Sequence, residues 1–426
     1  MTGLFLGIDV GTSGVRACAV DARGDIQGME SATLPPPRQD GDAIDQDPEL
    51  WWHATVVAIS KLGRSIDLEA VERICIDGTS GTLLLIDAAG RPCTPGLMYN
   101  DARAAKEAGR IASVAPKESG AHGASSALAK LLHLLSRREA GDARLAVHQA
   151  DWIAGRLAGT HGVSDENNAL KLGYDPVTRT WPAWLDQLGV SHALLPRVLV
   201  PGTPFAGIDP KIALELGLSR SARITAGTTD GVAAFIATRA DTPGDAVTSL
   251  GTTLVVKLLA TRPIFAADQG VYSHRLGERW LAGGASNSGG GALLAHFTAA
   301  EMERLTPQLR PEQPTGLDYY PLPKPGERFP IADPTLATRI TPRPVEDHRF
   351  FQALLEGVAS VEALAYQRLA GLGAPHLRRV ISIGGGAKNE AWTEIRRRTL
   401  GVPVTIAEQT EASLGAALLA LQGSPS

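Results

Sequence analysis

Two stretches of this 426-residue chain, roughly half a chain apart, repeat one pattern. In the first, apolar runs at 4–8 and 15–20 flank Gly11-Thr12-Ser13. In the second, apolar runs at 246–250 and 254–256 flank Gly251-Thr252-Thr253. An apolar run on each side of a glycine turn predicts a buried β-hairpin. Recurrence at half-chain scale predicts a duplicated domain, and no other feature restricts the fold as much. Strand-to-helix units also occur in both halves. Strand 223–226 leads through Gly227-Thr228-Thr229-Asp230 to an Ala-rich helix at 232–238. Strand 380–383 leads through Gly384-Gly385-Gly386 to a helix from about 390 to 399. Such units make each half α/β and not all-β.

The length agrees with two domains, because single cores stop growing well short of it. A formal charge of -4 gives no electrostatic reason to bind nucleic acid or an anionic membrane. Cys18, Cys75 and Cys93 are odd in number and lack CxxC spacing, so they read as reduced core residues. The chain enters its first strand without a charged-then-apolar leader. No apolar run nears the ~20 residues that span a bilayer. The expectation is a cytoplasmic protein with no membrane partner.

Further elements follow from local chemistry. Residues 28–33 read as a third strand, and 71–76 and 82–86 as later ones. The 48–62 stretch has helical spacing, with Asp47 as N-cap and Pro48 at the first position. Residues 128–138 and 146–157 also read as helices, and Pro-rich segments at 35–37, 201–204 and 321–334 as loops.

The glycine turns carry chemistry. Glycines let backbone N–H groups approach an anion, and Thr and Ser hydroxyls add donors. Asp9, at the entry to the first turn, is placed to hold a hydrated Mg²⁺ that bridges phosphates. Neither turn is a Walker loop, since no GxxxxGK[ST] is present, and the first is not GxGxxG, since a strand follows it. Asp230 sits where a helix begins, so it reads as an N-cap, as a general base for a hydroxyl attacking a γ-phosphate, or as both. The three glycines at 384–386 leave room for something flat or charged, and Trp392, one turn beyond Asn389, can cover the same place or fill a core. Asp77-Gly78-Thr79-Ser80-Gly81 offers small hydroxyls at a strand end, where α/β folds bind ligands. Tyr99-Asn100-Asp101-Ala102-Arg103 adds polar groups after a Pro-rich turn. The ten His show no HxH or HExxH spacing, so no zinc site is expected.

Taken in order, these segments resemble the FGGY carbohydrate kinases of the actin/hexokinase/Hsp70-like ATPase superfamily. The resemblance runs through 9–16, 77–82, 99–103, 164–168, Asp230, 249–253, 384–392 and Leu400-Gly401-Val402-Pro403-Val404. The last two carry most of its specificity. It implies an α/β chain of two duplicated actin-like (ribonuclease H-like) ATPase domains with an interdomain cleft that closes to exclude water. The domains are expected at 1–228, with the sugar site and first phosphate loop, and 229–426, with the second phosphate loop and adenosine pocket.

By position, the resemblance implies Asp230 as catalytic base and Asp9 as the Mg²⁺-side carboxylate that also approaches the sugar. Thr12 and Ser13 stand as γ-phosphate contacts, with Gly251 and Thr252 as their counterparts from the second domain. Gly385, Gly386, Asn389 and Trp392 correspond to the adenosine pocket, and Ser80 to a sugar contact. ATP and Mg²⁺ are the implied cofactors, and a small sugar the implied partner of a monomer or homodimer.

Two departures bear on the sugar. The chain is shorter than typical glycerol or xylulose kinases. Its Thr79-Ser80-Gly81 stands where xylulose kinases resemble Met-His-Gly and glycerol kinases present Arg-Glu. In these features the chain is most similar to short ribulokinase-type members. The expected acceptor is a ketopentose such as D-ribulose. A xylulose or polyol kinase, or a sugar-independent actin-like ATPase switch, is the alternative.

Overall fold

The computed structural model describes residues 3–423. The chain forms two compact units. The first runs through Ala237 and includes His274–Glu278 and the chain from Glu411 on; the second holds Thr238–Ser273 and Arg279–Thr410. Both are α/β. Set beside the expected partition at 228/229, the helix begun by Asp230 and the helix Ala412–Gln422 both lie in the first unit.

The first unit is built on a sheet in the order Pro204–Gly207, Arg223–Thr229, Val71–Gly78, Leu4–Val10, Gly14–Val20, Ile26–Thr33. Every residue of Leu4–Val10 is buried, which requires packing on both faces. Helix Pro48–Leu62 contributes Trp51, Ile59 and Leu62 to this core. It starts as expected, with the Asp47 carboxylate accepting from the Glu49 N–H at 3.0 Å.

Helix Ala412–Gln422 packs directly on the central strand. A Cβ on Gly7 would lie 2.0 Å from the Ser413 carbonyl oxygen, so only glycine lets helix and strand meet there. A Cβ on Gly415 would lie 1.8 Å from the carbonyl oxygen of Ala233, on helix Asp230–Ala237. Arg73 donates to the carbonyls of Ala420 and Leu421 at 3.2 Å, satisfying the helix end.

One expected helix changes type. The 146–157 stretch is strand Leu145–His148 followed by helix Gln149–Ala158. Its first residues pair antiparallel with Leu83–Ile86, in the register Leu83↔His148. Ala146 and Val147 are buried there, and the ladder supplies backbone partners that helical spacing alone does not reveal. The Asp151 carboxylate accepts from the His148 N–H at 3.4 Å and marks the true helix start. The 128–138 helix is shorter than expected, spanning Ala127–Leu135. All three cysteines are free thiols, with Cys18 and Cys75 buried.

The second unit repeats the first unit's topology. Asp245–Leu250 pairs antiparallel with Leu254–Ala260, which pairs antiparallel with Arg279–Ser286. On its other side Asp245–Leu250 pairs parallel with Arg379–Ile383, which pairs parallel with Val404–Ile406. Leu4–Val10, Gly14–Val20, Ile26–Thr33 and Val71–Gly78 are joined in the same way.

A charged network fixes this sheet to its helices. Thr248 and Ser382 are register partners on the two central parallel strands. Arg396, on helix Glu390–Leu400, donates to Ser382 Oγ at 2.6 Å and to both carboxylate oxygens of Glu362 at 2.6 and 2.7 Å. Glu362, on helix Asp347–Gly371, also accepts from Thr248 Oγ1 at 2.6 Å. Glu362 and Arg396 are both 0 % exposed.

Candidate functional site

In the first unit, strand register gathers the acidic groups. Asp9 and Asp77 are direct partners on adjacent parallel strands, and Asp77 in turn partners Thr228. Asp230 follows two residues later as the first residue of its helix. The carboxyl ends of parallel strands are where open α/β sheets bind ligands.

Asp77 is fully buried, and neither of its carboxylate oxygens has a hydrogen-bond donor among the described residues. Burial, then the charges of Asp9 and Asp230, push it well above the usual carboxylate range. Asp77 therefore keeps its proton long after an ordinary carboxyl has lost it. Burial, then the Asp230 charge, raises Asp9 to about 6, against the opposing pull of Arg16. Arg16 bonds Asp9 at 3.1 Å and reaches Glu411 at 3.1 Å. Asp230 is half-buried, and its Oδ1 accepts from the Gly231 N–H at 2.6 Å. The cluster thus sets Asp230, at a helix start, beside two carboxyls whose ionisation is suppressed, an acidic grouping that suits proton exchange with a bound hydroxyl.

The 164–168 segment braces this end of the sheet. Asp165 accepts from the Asn167 and Asn168 N–H groups at 2.8 and 3.0 Å. The Asn167 amide then donates to Thr228 Oγ1 at 3.0 Å and the Asn168 amide to the Thr228 carbonyl at 3.1 Å. These bonds hold the chain two residues before Asp230.

The 79–82 turn lies next to the cluster. Lys171 connects the two: its ammonium donates to the Ser80 carbonyl at 3.2 Å and is attracted by Asp230. Burial lowers the Lys171 pKa and Asp230 opposes that shift. Ser80 Oγ is buried without a hydrogen-bond partner among the described residues. An orphaned hydroxyl beside a carboxylate cluster is suited to a polyhydroxylated ligand. Gly81 has φ +89°, and a Cβ there would lie 3.1 Å from the Lys171 chain.

The Gly11-Thr12-Ser13 turn is closed by a Gly11 N–H to Gly14 carbonyl bond of 3.0 Å, which leaves Ser13 exposed and Thr12 half-buried. Its counterpart in the second unit is held differently: the Gly251 and Thr252 carbonyls each accept at 2.9 Å, from the Gly290 and Gly291 N–H groups.

Gly251 and Thr252 share a cavity of about 800 Å³ with Gly385, Gly386, Asn389 and Trp392, all within the second unit. The parallel pairing of Ser249 with Ile383 brings their two glycine turns together. Gly384 has φ +86°, and a Cβ there would lie 2.9 Å from the Leu250 carbonyl oxygen. Leu293, Phe351 and Leu355 supply apolar walls. Trp392 is 2 % exposed, with its indole N–H on the Leu355 carbonyl at 3.1 Å and its ring against Gly386. Asn389 caps the following helix through a 3.0 Å bond from the Trp392 N–H, and its amide reaches Thr306 at 3.1 Å. Glycine backbone on one side and apolar walls on the other make a slot for a flat heterocycle.

A Cβ on Gly385 would meet no protein atom within 4 Å. Gly385→Leu is therefore expected to leave the melting temperature unchanged while its side chain occupies the slot. The Michaelis constant for a nucleotide should rise roughly tenfold or more, the loss of about 1.4 kcal/mol of contact. A nucleotide KM within twofold of wild type would place the nucleotide elsewhere.

Asp77, Arg16 and Lys171 join the expected site residues, and the sequence did not single them out. Asp77 stands in the hydroxyl loop already noted, but its meaning comes from alignment with Asp9 across two strands.

Two family models match the chain. The N-terminal domain of the FGGY family of carbohydrate kinases matches residues 4–237, and the C-terminal domain of the same family matches 246–423. Among curated proteins, the chain is 23% identical to a gluconokinase of Bacillus subtilis (strain 168), over 99% of this chain and 88% of that one. It is 28% identical to a xylulose kinase of Streptomyces coelicolor, over 97% and 86%. Among solved structures, a "xyloylose kinase" from Brucella ovis superposes with a TM-score of 0.90 at 24% identity, covering 99% of this chain and 90% of that one.

Proposed function

The chain belongs to the FGGY family of carbohydrate kinases, and we propose that the sugar it phosphorylates is a small ketopentose such as D-ribulose. As a carbohydrate kinase it transfers a phosphoryl group from ATP to a sugar hydroxyl. The observation that carries the finer reading is the 79–82 turn. It offers the orphaned Ser80 hydroxyl and no imidazole or guanidinium, so it suits a compact neutral acceptor.

In this reading Asp230 accepts the proton of the attacking hydroxyl. The sugar oxygen bonds to the γ-phosphorus, and the bond to the β–γ bridging oxygen breaks to release ADP. Asp9 lies beside Asp230 and is ionised above about pH 6. Lys171 and Ser80 orient the acceptor, and the Gly385-Gly386 slot receives the adenine. Thr12, Ser13, Gly251 and Thr252 serve as phosphate contacts.

Among the described residues no group of three or more His, Cys, Asp or Glu surrounds a metal position. Mg²⁺ needs no such cage, because it keeps several waters and binds through one or two carboxylates and the phosphates. The Asp9 carboxylate, with the Asp230 charge close enough to raise its pKa, fits that demand. When bound, Mg²⁺ would neutralise charge on the phosphates. Among the described residues no helix is long and apolar enough to cross a membrane.

The test is ADP release with ribulose, xylulose, gluconate, glycerol and erythritol. The highest kcat/KM is expected with ribulose. A preference for xylulose or gluconate by tenfold or more would overturn the ribulose assignment.

A further inference from the structure

One buried charged group has no part in that mechanism. Lys130 lies on helix Ala127–Leu135 among Leu128, Leu131, Leu132 and Leu134, and is 0 % exposed. Its ammonium donates at 2.8 Å to the Gly81 carbonyl, inside the 79–82 turn. Among the described residues no carboxylate lies within ion-pair distance of it. A lysine placed in an apolar helix face without a counter-ion costs stability, so a compensating use is expected.

The turn it touches is held at each residue. The Thr79 N–H and hydroxyl both donate to Gln149 Oε1, at 3.1 and 2.8 Å. The Thr82 N–H donates to the Thr79 carbonyl at 3.2 Å. Lys171 holds the Ser80 carbonyl and Lys130 the next one. Two adjacent carbonyls drawn toward ammonium groups leave the Ser80 side chain little freedom, and its oxygen is the one without a partner.

We propose that Lys130 is a positioning residue for the phosphoryl acceptor: by gripping the Gly81 carbonyl from the core, it fixes the 79–82 turn so that the Ser80 hydroxyl is preset for a sugar oxygen. The assignment rests on the acceptor site described above. It acts on the sugar and not on the nucleotide, because the hydrogen bond of its ammonium goes to the acceptor turn.

The grip depends on the lysine's proton. Burial, then repulsion from Lys171, brings Lys130 down to about 7, with Asp101 opposing and Arg103 adding to the repulsion. Asp101 is itself engaged by Arg103 at 2.7 Å. On the neighbouring helix Ala105–Ala112, Glu107 faces His133 at 3.9 Å. Below about pH 7 the ammonium makes a charge-assisted bond; above it the neutral amine makes a weaker one. The acceptor KM of the wild type should therefore rise as pH climbs from 6.5 to 8.5.

Two measurements test this. Hydrogen exchange of the Thr79 and Thr82 amides, which needs no substrate, should be faster in Lys130→Met by roughly tenfold. In the same variant the acceptor KM should rise roughly tenfold or more while the ATP KM stays within twofold. Lys130→Arg, charged at every pH used, should keep slow exchange and remove the pH dependence of the acceptor KM. Unchanged exchange in Lys130→Met overturns the positioning role whatever the kinetics. Faster exchange with an unchanged acceptor KM overturns the link to the acceptor. Should neither variant fold, a wild-type acceptor KM that is flat from pH 6.5 to 8.5 overturns it. A wild type that phosphorylates no sugar defeats the acceptor reading alone, and the exchange experiment still decides the brace.

Discussion

Asp230→Asn should fold normally and lose phosphoryl transfer by roughly 10²–10⁴-fold in kcat, the usual contribution of a positioned base. The KM for ATP should stay within threefold, because the slot proposed for the nucleotide is lined by residues 250–392 of the other unit. Stability should change little, because the lost charge relieves Asp9 and Asp77 and at the same time withdraws its attraction from the buried Lys171. The Asp230 charge disfavours ionisation of both Asp9 and Asp77, and that penalty disappears in the variant. An ADP-release assay with saturating sugar reads the rate, and thermal melting reads the fold. A variant retaining a third or more of wild-type kcat would show that another group takes the proton. A variant that melts far below wild type would show that Asp230 is mainly a structural cap.

Glu362→Leu should destabilise the second unit by about 3–5 kcal/mol, since it strands the Arg396 guanidinium in the core. The double variant Glu362→Leu/Arg396→Met should recover most of that loss, because an apolar pair of similar volume needs no counter-charge. Urea unfolding gives both numbers. A single variant within about 1 kcal/mol of wild type would mean that water reaches the guanidinium. The double variant should not recover nucleotide affinity fully. Thr248 and Ser382 hang on this network, one residue before Ser249 and one before Ile383, and those strands end in the two glycine turns of the slot.

Much of this arrangement was written locally in the chain. The first glycine turn, closed between Gly11 and Gly14, and the cap at Asp47 rest on contacts between near neighbours, which short stretches of sequence specify. Asp230 at a helix start was legible for the same reason. Other features depend on strangers meeting. Asp77 gains its perturbed carboxyl only because Val71–Gly78 lies beside Leu4–Val10 in a register that sets it against Asp9. Lys130 looks like an ordinary polar break in an apolar helix until Gly81, far back in the chain, is laid under it. The 146–148 stretch turned out as strand because Leu83–Ile86 offered it a ladder, a partner no helical spacing announces. Membership of helix Ala412–Gln422 in the first unit was illegible too, since it depends on two glycines, Gly7 and Gly415, that look unremarkable in sequence.

That helix gives the chain a calendar. When a ribosome has released residues up to Ala237, the strands carrying Asp9 and Asp77 and the helix begun by Asp230 have all been made. The groove over Gly7 and alongside Ala233 is still bare, because its filler has yet to be translated. The intervening stretch takes roughly 10–35 s at synthesis rates of about 5–20 residues per second. Through that interval the carboxylates sit on an unfinished core, with the apolar groove that the last helix fills still open. A prematurely terminated product keeps the acidic groups but not the helix that seats them. Sugar phosphorylation in a cell would then count finished chains, not merely started ones.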